Sequence, residues 1–147
     1  MIALLQRVLR ADCKVEGKVT GEIDSGLLVF ACAEREDTEE SARKLAQRVL
    51  RYRLFSDENG KMNLSVSDVK GGILVISQFT LAADTDHGNR PSFTPAADPE
   101  TGMKLFSVFL EELQKSDLNI QTGIFGAHMQ ISLVNDGPVT FWLRYPK

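Results

Sequence analysis

Apolar and polar positions along the chain follow two periods, and the switches between them predict the elements. Residues 2–15 are rich in Leu, Val and Ile and read as a strand. Its alternation changes phase between Leu4 and Leu9, which predicts a bulge or burial on both faces. Glu16-Gly17 is a two-residue turn into a second strand over 18–23. After a turn at Asp24-Ser25-Gly26, residues 27–33 are continuously apolar, as in a central strand covered on both sides. Residues 73–76 repeat that pattern and run directly into Ser77-Gln78-Phe79-Thr80-Leu81.

Two stretches change to a helical period. In the first, Ala42, Leu45, Ala46, Val49 and Leu50 share a face, with Asp37 as the expected N-cap and Glu40 completing a capping box. Lys44, Arg48 and Arg51 form a basic stripe beside that face, either a solvated surface or a phosphate contact. In the second, Asp98 caps, Pro99 takes the first position, and Leu105, Phe106, Phe109, Leu110 and Leu113 align. Residues 56–61 are a surface turn, and Gly71-Gly72 breaks the chain again. Residues 82–97 have no apolar period; a loop of that length in a compact domain is often functional. The last third reads as strands at 120–124, 128–134 and 139–145, the latter two joined by an Asn135-Asp136-Gly137-Pro138 hairpin turn. The expected architecture is α/β of the α+β type: mixed or antiparallel sheets covered by two main helices, in a single domain over 1–147.

Composition changes this picture little. Seventeen Lys and Arg against 20 Asp and Glu give a net charge of −3, with 43% hydrophobic residues, which excludes a disordered chain. No apolar run approaches the ~20 residues that span a bilayer, so no membrane partner is expected. Cys13 and Cys32 lie in apolar stretches, and the N-terminus lacks a secretory signal. Two reduced, buried thiols in a cytoplasmic protein are expected. The two Cys and two His share no ligand spacing, so no metal and no cofactor is expected.

Chemistry has three candidate locations. Ser77-Gln78-Phe79-Thr80 ends a buried strand, where a rigid element meets an open surface and unpaired N–H groups can hold a developing oxyanion. Thr80 is a nucleophile only if a base lies beside it. In Gly88-Asn89-Arg90-Pro91-Ser92-Phe93, Arg90 either binds an anion or pins the loop by an ion pair. Gly137-Pro138 becomes a rigid backbone acceptor for an ammonium group if its bond is cis, a state found in ~5–6% of such bonds. His87 and His128 are isolated and read as structural or solvated.

Taken together, Ser77-Gln78-Phe79-Thr80-Leu81, Gly88-Asn89-Arg90-Pro91-Ser92-Phe93 and Asn135-Asp136-Gly137-Pro138-Val139-Thr140 carry a resemblance. With the opening Met1-Ile2-Ala3-Leu4-Leu5-Gln6-Arg7-Val8, the chain resembles the D-aminoacyl-tRNA deacylases, also called D-tyrosyl-tRNA deacylases. The resemblance covers the whole chain. It implies a barrel-like core and a homodimer with active sites at the interface. It implies hydrolysis of the ester joining a D-amino acid to the 3′-terminal adenosine of tRNA, with mischarged glycyl-tRNA(Ala) as a second substrate. Ser77, Gln78, Phe79 and Thr80 would then form the catalytic segment. A cis Gly137-Pro138 would enter the partner subunit's pocket, hold the α-ammonium and reject L-amino acids by steric contact. Arg90, Met129 and Asn135 are candidate substrate or tRNA contacts. Two other readings compete: an editing enzyme for L-alanine on the wrong tRNA, disfavoured by the intact Ser77–Leu81 segment, and a non-catalytic dimeric tRNA-binding module.

Overall fold

The computed structural model describes residues 1–147. In chain order the elements are β1 (Ile2–Val15), β2 (Lys18–Ile23), β3 (Gly26–Cys32), α1 (Glu39–Arg51), β4 (Phe55–Ser56), β5 (Met62–Leu64), α2 (Val66–Val69), β6 (Gly72–Ser77), α3 (Pro99–Gln114), β7 (Ile120–Thr122) and β8 (Gln130–Arg144). β1 is the spine. One side of it pairs antiparallel first with β3 and then with β2, while β8 runs antiparallel along the other. β3, β6 and β7 are parallel neighbours, so α1 and α3 serve as the crossovers that parallel pairing requires. β2 then closes towards β7 into a nearly complete barrel. Glycine permits this approach: a Cβ on Gly21 would lie 2.8 Å from the Thr122 carbonyl oxygen.

The continuous apolar runs are explained by two cores, one on each face of the central strands. Leu27, Val29, Ile73 and Val75 face α1 and α3, whereas Leu28, Leu74 and Ile76 fill the barrel interior. β1 changes layers along its length. Ala3 and Leu5 face the helices, but Val8, Ala11 and Cys13 face the barrel interior. The register with β8 shifts between Gln6 and Arg10, at the predicted change of phase. Leu45, Val49, Phe109 and Leu113 are wholly buried. Each such side chain contributes about 1.5–3 kcal/mol by leaving water.

Two expectations need correction, and one element is added. Thr38, not Asp37, caps α1, bonding reciprocally with Ser41. Asp37 is diverted because its carboxylate receives the Met1 ammonium at 2.6 Å and the Glu34 N–H at 2.7 Å. A third helix exists: α2 is a single turn with its own Ser65–Asp68 capping box, too short to show a helical period. Finally, Asn135-Asp136-Gly137-Pro138 does not reverse the chain. Residues on both sides of it pair with β1, Thr140 opposite Gln6 and Asn135 opposite Val8. The extra residues bulge out of one continuous strand.

Candidate active site

The carboxyl ends of β3 and β6 lie side by side, with Ala31 opposite Ser77. After Ser77 the chain leaves the sheet, and Phe79–Ala82 forms one 3-10 turn. Gln78 N–H still bonds to the Ala31 carbonyl at 2.9 Å, and the turn's first bond is Leu81 N–H to the Gln78 carbonyl at 3.2 Å. The N–H groups of Phe79 and Thr80 precede that bond and are left out of the turn's ladder, as at any helix start. Phe79 is 59% exposed, and its ring meets Phe93 edge-on at 5.0 Å. The Cys32 thiol contacts the Phe79 carbonyl at 3.4 Å and ties the turn to the end of β3.

Beside this turn opens a cavity of about 590 Å³. Cys32, Ser77, Gln78 and Phe79 form one wall; Pro99, Gly102 and Phe106 of α3 form another, and Phe125, His128 and Met129 complete it. The Thr80 hydroxyl accepts from Gln78 Nε2 at 2.5 Å, and no imidazole or carboxylate bonds to it. What the turn offers a substrate is therefore backbone N–H dipoles rather than an acid–base pair.

Cys32 is not an alternative nucleophile. Burial is the main cause that pushes its thiol up to about 11. At pH 8 roughly one molecule in a thousand would carry the reactive thiolate. Iodoacetamide at pH 8 is therefore expected to leave Cys32 unlabelled in the native protein and to label it once guanidinium unfolds the chain. Mass spectrometry of the two samples checks this, and rapid native labelling would contradict it.

The remaining sequence candidates lie elsewhere. Arg90 is exposed in the loop between Asp84 and Ser92, outside the cavity lining and without an ion pair. Asn135 braces the β8 bulge: its Oδ1 receives Val139 N–H at 3.0 Å and its Nδ2 reaches Thr140 Oγ1 at 3.1 Å. Gly137 and Pro138 sit at the tip of that bulge, both exposed, joined by a cis bond. Within one chain β1 and β3 separate them from β6 and Ser77. Sequence reasoning gave Arg7 no role of its own. Its guanidinium donates to the Leu54 carbonyl at 2.9 Å and to the Asp136 carbonyl at 3.1 Å, which anchors the bulge. The only signal was a charged residue, beside Gln6, between the apolar runs Ile2–Leu5 and Val8-Leu9.

The fold is shared with proteins of known structure. A solved structure described as that of a probable eukaryotic D-amino acid tRNA deacylase superposes with a TM-score of 0.83 over 97% of each chain, at 16% identity. Another, described as the c-Myc DNA Unwinding Element Binding Protein, superposes with a TM-score of 0.95 over both full chains, at 39% identity. In sequence, a D-aminoacyl-tRNA deacylase of Cupriavidus pinatubonensis is 59% identical, covering 99% of this chain and 97% of that protein. One from Escherichia coli O81 is 57% identical, covering 98% and 99%. The family model described as D-Tyr-tRNA(Tyr) deacylase matches residues 4–144. The chain belongs to this family of hydrolases acting on aminoacyl-tRNA.

Proposed function

We propose that this chain hydrolyses the ester between a D-amino acid and the 3′-terminal adenosine of tRNA in the cytoplasm. Glycyl-tRNA is a second substrate and L-aminoacyl-tRNA is rejected. The observation that carries the reading is the turn at Phe79 and Thr80, which leaves two N–H groups outside its ladder at the edge of a cavity and gives the Thr80 hydroxyl no basic partner. An aminoacyl ester is already activated, so positioning and oxyanion stabilisation suffice. Water adds to the ester carbonyl, and the negative oxygen rests on the Phe79 and Thr80 N–H groups. The ribose 2′-OH orients the water. Collapse of the adduct breaks the ester bond, the ribose 3′ oxygen takes the proton, and the free amino acid departs.

The enzyme works as a homodimer. The outer edge of β8 has no partner within the chain, and Trp142 beside it is 53% exposed. The bulge tip is remote from its own cavity, which supports an arrangement in which each subunit inserts Gly137 and Pro138 into the other's site. Their carbonyls receive the α-ammonium, and the backbone leaves no room for an L side chain. Such a wall excludes one enantiomer instead of selecting a particular side chain, so D-amino acids of many kinds pass. Ser77, Gln78 and Met129 shape the pocket, while Arg90 contacts tRNA from its exposed loop.

Deacylation of D-tyrosyl-, L-tyrosyl- and glycyl-tRNA under one condition tests this. Rapid loss of the D and glycyl esters with the L ester intact is expected. Equal loss of D and L esters would remove the wall, and tRNA binding with no ester loss would leave a non-catalytic binding module. Because no base touches Thr80, Thr80→Ala should slow hydrolysis by less than about tenfold, whereas deleting a true nucleophile costs on the order of 10⁶ in kcat. Single-turnover rates of the two proteins decide between these.

A further inference from the structure

Residues 41–56 carry Arg43, Lys44, Arg48, Arg51 and Arg53 but no acid, in a chain whose net charge is −3. Two of the five have partners: Arg43 pairs with Glu39, and Arg53 bonds to Asn63. Lys44, Arg48 and Arg51 do not enter any ion pair. Their spacing of four and then three residues places them on one face of α1, where like charges repel. An anion lying along the row would relieve that repulsion. The row is about 10 Å long at the rise of a helix, enough for two or three phosphates of a nucleic-acid strand.

Its position gives the row a purpose. The Arg48 guanidinium lies over the Tyr52 ring at 5.8 Å, and Tyr52 meets Phe141 of β8 at 5.4 Å. Two residues on, the Leu54 carbonyl receives Arg7, the side chain that also holds Asp136 in the bulge. The cationic row therefore ends next to the Gly137-Pro138 tip. The cavity itself is less inviting to phosphate, because exposed Asp98 lines it and exposed Glu100 follows two residues on in the same chain segment.

We infer that Lys44, Arg48 and Arg51 dock the backbone phosphates of the tRNA acceptor arm beside the bulge that meets the esterified end. This rests on the deacylase reading above. Electrostatic docking of this kind explains how an acidic protein holds a polyanion, since local charge outweighs the total.

The test compares two substrates, full-length D-tyrosyl-tRNA and D-tyrosyl-adenosine, which has no phosphate. The variant is Lys44→Gln with Arg48→Gln and Arg51→Gln. Its KM for the tRNA should rise at least tenfold with kcat retained, and its turnover of D-tyrosyl-adenosine should match the wild type. The slope of log KM against log salt should fall by about 2–3, near 0.9 for each phosphate no longer neutralised. A control removing two exposed lysines at the far end of β1, Lys14→Gln and Lys18→Gln, should leave KM for tRNA within twofold. An unchanged KM and salt slope, an equal loss on both substrates, or an equal effect of the control would each overturn the dock. Failure of the deacylase reading looks different: the wild type itself would hydrolyse neither substrate. Arg51→Gln alone, with an expected threefold rise in KM, keeps the test decisive if the triple variant folds poorly.

Discussion

Gly137→Ala is expected to lower kcat/KM for D-tyrosyl-tRNA by roughly 100-fold or more, the loss that an ångström-scale misplacement of a binding group produces. Gly137 has φ +136°, a region that L side chains rarely adopt. A Cβ there would lie 2.7 Å from Val139 Cγ2, 3.1 Å from Val139 N and 3.2 Å from Arg7 Nη2. None of these neighbours yields easily. Val139 is buried and its N–H is held by Asn135, while Arg7 is fixed between two carbonyls. The bulge itself must therefore move, and with it the carbonyls proposed to receive the substrate's ammonium. The fold should survive, because the bulge is exposed and β8 pairs with β1 on either side of it. The strain amounts to about 1–3 kcal/mol. Deacylation kinetics alongside a thermal melt check both halves. Wild-type kcat/KM in the variant would remove Gly137 from the substrate site.

That bulge also shows where reading the chain residue by residue reaches its limit. Asn-Asp-Gly-Pro has the local composition of a reversal. What keeps β8 straight is only partly local: Asn135 bridges the base of the bulge, but β1 pairs with both flanks and Arg7 grips the bulge from 129 positions away. The α1 cap departs from expectation for the same reason, since Asp37 is claimed by the Met1 ammonium, 36 positions away. By contrast, the Glu16-Gly17 turn and the Asp98-Pro99 helix start are legible because short-range chemistry decides them. β3 and β6 are legible because burial on both faces leaves an unbroken apolar run. The Ser77–Thr80 segment stands out as polar residues directly after such a run. The rest of the cavity wall does not, because Cys32, Phe106 and Phe125 come from separate parts of the chain and meet only in space.

The largest expected loss of stability follows Asp37→Ala. The Met1 ammonium is buried, bonded to Asp37 Oδ1 at 2.6 Å and to the Tyr145 carbonyl at 2.6 Å, with Glu34 at 3.5 Å. Glu34 in turn holds Arg144 through two bonds of 2.9 and 2.7 Å. This cluster joins the start of β1, the link from β3 to α1 and the end of β8. Removing one partner from a buried ion pair typically costs about 3–5 kcal/mol, because the other charge stays behind without its solvent. Glu34 and the Tyr145 carbonyl still face the ammonium, so the lower end of that range applies. At roughly 2–4 °C per kcal/mol for a chain of this size, Tm should fall by on the order of 10 °C. Arg144→Ala makes the contrast, since the Arg144 side chain is 48% exposed and an exposed pair contributes under about 1 kcal/mol. Calorimetry of the two variants side by side should find Asp37→Ala much the more damaging. Equal small shifts would mean that water satisfies the ammonium once Asp37 is gone, and that the strand ends are held by packing alone.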